Sequence, residues 1–200
     1  MNMDLKQGKW SENIIIADAD YVDHVTFDLS VNFERMLMRR VSRADLARWI
    51  DCIALDGGLR EGEHETHVIM VHDGKKGEME NFVPSAFDEI NGKAFKDNLG
   101  EFVISALEVP ELTDKDSLML EILQIAVSQP EVKRIMVVPN AEDSDLYARM
   151  RRALANCDDE KVVTLFAMQP MPGGNFRQEI LGYSLMAALG ISSDEITSKS

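Results

Sequence analysis

The carboxylates of this chain gather at two turns, each following an apolar run. Ile14, Ile15, Ile16 and Ala17 lead into Asp18, Asp20 and Asp23, while Ile135, Met136, Val137 and Val138 lead into Asn140, Glu142, Asp143 and Asp145. Hard oxygen donors converging from two turns suit Mg²⁺ or Mn²⁺. An ion held there could activate a water and stabilise the charge of a phosphoryl transition state. Asp18 and Asp20, with Asp143 or Asp145, are therefore the candidate metal ligands. Acidic residues are also favoured at turns and in first helical turns for local reasons, and that reading accounts for the same residues without a metal.

A second candidate lies near the end of the chain. Pro172-Gly173-Gly174-Asn175 breaks the pattern ahead of FRQEILGYSLMAAL, which reads as a helix ending at Gly190. Free N–H groups and the dipole at a helix start attract anions. Gly173, Gly174 and Asn175, joined by Arg177, are thus candidate phosphate or anion ligands, with plain turn chemistry as the alternative. His64, His67 and His72 lie in or beside one apolar segment. On a strand His67 faces away from the other two, and His64 and His72 lie roughly 26 Å apart at strand rise. Those three cannot share a metal. Cys52 falls in an apolar helical pattern and reads as core. No G-x-S-x-G, P-loop or strand-linked G-x-G-x-x-G pattern occurs, which removes the hydrolase elbow, the phosphate cradle and the dinucleotide fingerprint.

These turns must be positioned by the elements around them. ENIIIADAD, THVIMVH, EFVISALEV, KRIMVVP and KVVTLFAM read as buried strands, separated by helical patterns. Residues 22–34 fit both periods: Val25, Phe27, Leu29, Val31 and Phe33 alternate as in a strand, while Val22, Val25, Leu29, Phe33 and Met36 mark one face of a helix. Length and the closing ERMLMRR favour the helix. Ser42 is expected to open the next helix and Thr113 the one before Pro130. EMENFV, 78–83, reads as an extra antiparallel strand after a Gly-rich turn. Alternating strands and helices with right-handed crossovers predict an α/β fold, a three-layer Rossmann-like sandwich on a mainly parallel sheet of about five strands. In the common order 3-2-1-4-5 the two acidic turns flank the switch point, where ligands bind such sheets. Residues 1–190 read as one domain and 191–200 as a loose polar tail. The 176–190 helix is apolar well beyond one stripe, which predicts a homodimer with Tyr183 and Met186 near the contact.

Composition narrows the possible partners. Twenty-one Lys+Arg against 35 Asp+Glu give a net charge of −14 over 200 residues, which disfavours broad binding to nucleic acid or anionic membrane. No apolar run reaches the ~18–20 residues of a membrane span. Two cysteines without metal or redox spacing imply a reduced, cytoplasmic chain. MNMDLKQGKW lacks the apolar core of a signal peptide.

Two resemblances bear on function. IIIADADYVD, TDKDSLMLEIL and RIMVVPNAEDSDLYARM resemble the strand–aspartate–helix pieces of NYN/PIN-type ribonuclease domains. That resemblance implies metal-site aspartates at Asp18 or Asp20, Asp116, and Asp143 or Asp145, and a Mg²⁺ or Mn²⁺ cofactor. Pro139-Asn140-Ala141-Glu142 displaces the last carboxylates from the position of the family's turn. WSENIIIADADYVDHVTFDLSVNFERML, ARWIDCIALDGGLREG, GKAFKDNLGEF and GGNFRQEILGYSLMAALGI together resemble, over nearly the whole chain, a bacterial domain-of-unknown-function family. This second resemblance implies a soluble bacterial protein and assigns no activity. The expectation is a non-catalytic binding or scaffold protein. The alternative is a divalent-metal-dependent, nuclease-like phosphodiesterase, and only under that alternative is nucleic acid a partner.

Overall fold

The structure is a computed structural model that describes residues 8–198. Its centre is β1, Asn13–Asp18, whose six residues are all buried. An all-buried strand must pair on both edges. It does so in parallel with β3, Glu65–His72, and with β7, Arg134–Val138. Outside β3 lies β6, Gly100–Glu108, also parallel, and outside β7 lies β8, Val162–Ala167. The five expected strands thus form the expected order, 3-2-1-4-5 among themselves. Two short strands complete the seven-stranded sheet: β5, Ala94–Asp97, antiparallel to β6, and β9, Arg177–Ile180, parallel to β8.

Alternate residues of the strands feed two cores. Ile15, Ala17, Val68, Met70, Met136, Val138 and Phe166 face one layer. That layer is built by α1 (Ala19–Leu37), α2 (Leu46–Asp56), α3 (Phe87–Ile90) and α6 (Leu181–Ala188). Ile14, Ile16, Ile69, Val71, Ile135 and Val137 face the other, built by α4 (Lys115–Ser128) and α5 (Ser144–Leu154). The chain is therefore a three-layer α/β sandwich on a mostly parallel sheet. Segment 22–34 is helical, with Val22, Val25 and Thr26 buried and Phe27 exposed. The tertiary preference for a covering helix decided between the two periods.

Several local expectations give way. Segment 78–83 is not an antiparallel strand of the main sheet. Its one strand is β4, Phe82–Val83, which pairs in parallel with β2, Ala44–Asp45, while Glu78 makes a lone antiparallel bridge to Ala86. The antiparallel strand is β5, because a tight hairpin returns it to β6. Asp97 accepts a hydrogen bond from Leu99 N, and Gly100 turns at φ +105° where a β-carbon would lie 2.1 Å from His64 O. The caps of α2 and α4 are Asp45 and Asp114, whose carboxylates accept from Arg48 N and Ser117 N. The 176–190 helix is in fact β9 followed by α6. α6 packs chiefly on α2 and touches α1 and β8, so much of its excess apolar surface is covered within the chain, and Tyr183 is left 70% exposed. The tail is not wholly loose: α7, Ser193–Thr197, carries a capping box with Ser192, and Arg39 holds its Glu195.

Asp51 of α2 sits against Asp97 of β5. Burial, then a hydrogen bond with Asp97, push the Asp51 carboxyl up to about 7. A protonated Asp51 avoids the repulsion of the second acid. The folded state therefore binds this proton more tightly than the unfolded chain, and stability falls as pH rises from the ordinary range to about 7. Asp51→Asn removes that loss. Denaturant midpoints should show the variant gaining on the parent from about pH 4 to pH 7 and then a constant difference; a difference independent of pH would refute the raised Asp51 carboxyl.

Candidate functional site

The site forms at the carboxyl ends of β1 and β3, beside the switch point between β1 and β7. β1 ends in Asp18, which is 2% exposed and is the N-cap of α1. Its Oδ1 accepts Tyr21 N at 3.0 Å. Asp20, in the first turn of α1, accepts Asp73 N at 2.8 Å through Oδ2, tying β1 to the end of β3. Between the two carboxylates lies the ammonium of Lys115, 3.1 Å from Asp18 Oδ1 and 3.0 Å from Asp20 Oδ2. Lys115 is the first residue of α4, so the crossover from β6 supplies the cation. Tyr21 Oη donates to Glu142 Oε2 at 2.7 Å, which fastens the turn after β7 to the same corner.

Charge and burial compete here. Burial raises the Asp18 carboxyl above the ordinary carboxylate range, and Lys115 opposes it without cancelling it. Burial also acts to lower Lys115, yet Asp18 and Asp20 more than offset this and leave it above the ordinary lysine value. Both partners move up because they are not equally buried: Asp18 is enclosed, whereas the Lys115 side chain keeps 22% of its surface. His72 ends β3 close by. It is buried, stacks on Phe87 at 3.8 Å, and its Nδ1 has no partner. Burial lowers its pKa, against the pull of Asp20 and Glu108, so the ring is held neutral.

A cleft of about 350 Å³ opens from this corner, between α1 and the 73–81 loop. Asp20, Asp23, Asp73, Glu78 and Glu80 line it, with Lys75 and Lys76, the exposed ring of Phe27, and His24. Asp23 builds its wall: the carboxylate accepts Glu80 N and Asn81 N at 3.1 and 2.9 Å. Asp73 Oδ1 accepts Lys75 N and starts the turn.

The predicted ligands take different partners. Asp18 and Asp20 come together, but around Lys115. Asp116, in the first turn of α4, and Asp143, the N-cap of α5, are close enough that burial and then Asp143 raise the Asp116 carboxyl. Asp143 spends an oxygen on Asp145 N and Leu146 N. Asp145 is solvated, its side chain 81% exposed and 3.9 Å from Arg149. Among the described residues no group of three His, Cys, Asp or Glu side chains is arranged to hold a metal ion. The 172–175 turn precedes β9, so no helix start follows it. The Pro172 and Gly173 carbonyls accept from Tyr147 Oη and Arg151 Nη2. Asn175 Nδ2 donates to Leu154 O and Cys157 O at the end of α5. Arg177 points to a different neighbourhood, near Gly58.

Lys115 stands beside Asp116 in the TDKDSLMLEIL segment, and the sequence alone gives it no role in the site. One signal was available: a lysine at the first position of a helix opposes the helix dipole and calls for a local anion. Asp23 was visible only as one more acidic turn residue, because its partners lie 57 and 58 positions away.

Residues 7–196 match the model of a family of unknown function, DUF6621, and the chain belongs to that family. No curated protein and no solved structure matches it. None of its described helices is long and apolar enough to cross a membrane.

The Lys115 bridge has a pH signature. A group whose folded pKa is raised contributes stability in full below its unfolded value, and loses it as pH rises through the folded one. The stability difference between the parent and Lys115→Met should therefore be largest near neutrality and narrow on passing above about pH 10.4, the ordinary lysine value. Urea midpoints across that range measure it, and a constant difference would show that the ammonium is not what Lys115 contributes.

Proposed function

We propose that this protein is a non-catalytic binding protein whose ligand is a small amine-bearing cation, held in the cleft between α1 and the 73–81 loop. The observation that carries this reading is the lining: five carboxylates and an exposed aromatic ring against two ammonium groups, in a cleft of about 350 Å³. That volume falls within the range of small-molecule sites. Carboxylates supply charge-assisted hydrogen bonds to an ammonium, and Phe27, 52% exposed, offers a face for a cation–π contact. The internal lysine supports the same chemistry, since Lys115 shows that this corner neutralises its carboxylates with an ammonium. The alternative of a metal-dependent phosphodiesterase would need Asp18 and Asp20 released from Lys115. Unpaired Cys52 and Cys157 fit a cytoplasmic setting. Exposed Tyr183, with part-buried Met186 beside it, is the surface through which we infer a homodimer.

Isothermal titration with spermidine as the probe tests the reading. One saturable site is expected. Asp73→Asn keeps the turn, because an amide oxygen still accepts from Lys75 N, and should weaken binding about tenfold or more, the loss of one hydrogen bond to a charged group. Absence of saturable binding, equal binding by the variant, or Mn²⁺-dependent cleavage of a phosphodiester probe would each overturn it.

A further inference from the structure

At the opposite, amino-terminal edge of the sheet we propose a binding site for a phosphate group, formed by Arg134, Arg177 and Arg60. The inference does not depend on the cleft. Arg134 opens β7, Arg177 opens β9, and Arg60 follows α2. The Nη1 atoms of Arg134 and Arg177 stand 2.7 and 3.6 Å from the place where a β-carbon on Gly58 would lie. Gly58 adopts φ +93°, a conformation that favours glycine, and this keeps the approach of the two guanidinium groups open.

Part of this cluster has an internal task. Arg134 Nη1 donates to Gly57 O at 2.6 Å, and Arg60 Nη1 to Leu55 O and Leu59 O at 3.1 and 2.8 Å. These bonds satisfy carbonyls left over at the end of α2. They do not use the rest of the donors. Arg134 Nε is buried without a partner, as is Thr164 Oγ1, whose residue pairs with Arg177 in the β8–β9 register. The Arg177 side chain makes no hydrogen bond, and none of the three arginines forms an ion pair, among the described residues. In a chain with 35 acidic and 21 basic residues, two guanidinium groups meeting at Gly58, with the charge of a third acting on them, call for an external anion.

The local carboxylates do not supply it. Glu12 acts on Arg134 from beyond ion-pair distance, and Asp56 and Glu179 face each other, burial and then Glu179 raising the Asp56 carboxyl. Burial, then the charges of Arg177 and Arg60, make Arg134 less basic, a repulsion that a bound dianion relieves. Planar guanidinium forks match phosphate oxygens two at a time, which favours phosphate over a monovalent anion.

The test is thermal unfolding of the full chain in inorganic phosphate against chloride at matched ionic strength. Phosphate also strengthens burial non-specifically, so the variants decide. Arg177→Gln changes an exposed side chain outside the core and removes one repelling charge, so its melting temperature in chloride should be no lower than that of the parent. The parent should show a saturable rise with phosphate that Arg177→Gln lacks and that Arg152→Gln, a control on α5, retains. A phosphate ester such as glycerol phosphate distinguishes the source: a rise with the ester at lower concentration identifies a phosphorylated molecule, and a rise with inorganic phosphate alone identifies the free ion. Equal responses from the parent and Arg177→Gln, or no saturable rise, would overturn the site.

Discussion

A buried carboxylate at the end of a central strand must be neutralised, and the upper half of this molecule is arranged around that requirement. Asp18 caps α1 from a position closed to solvent. An uncompensated charge there would cost several kcal/mol. The compensating ammonium comes from Lys115, almost a hundred residues later in the chain, and it also takes Asp20. Asp20 holds the backbone of Asp73, so one cation fixes the relative positions of β1, β3 and the start of α4. The 73–81 loop then hangs from a second buried acid, Asp23. The cleft exists because these two acids bind inward.

Charge is distributed unevenly between the two ends of the sheet. The carboxyl end collects acids with few free cations, and the amino end collects three arginines with no ion-pair partner among the described residues. A parallel sheet makes such an arrangement possible, since all its strand ends of one kind lie on one edge. Long-range attraction of a cation to one end and an anion to the other follows from the same topology.

The fold was legible because its signal is periodic. Uninterrupted apolar runs such as Ile14–Ala17 can be satisfied only by strands covered on both faces, and the alternation with helices left few topologies. What failed was short. β5 and β9 have four residues each, too few to show a period. FRQEI lies against an apolar stretch that absorbed it into a helix. The acids of the site were visible as acids, but their partners were not. Asp18 and Asp20 look the same in sequence whether they face a metal or a lysine, and the deciding group comes from a crossover whose placement only the folded sheet defines. The Arg134–Arg177 approach was hidden for a similar reason: it is made across Gly58 by two strands and a helix end.

Asp18 and Lys115 stabilise the fold as a pair, each compensating a charge the other leaves buried. A double-mutant cycle with Asp18→Asn and Lys115→Met, read by urea unfolding, tests it most directly. The double variant should be less destabilised than the two single changes combined, by more than about 1 kcal/mol. Simple additivity would contradict it and would mean that Asp18 and Lys115 contribute independently.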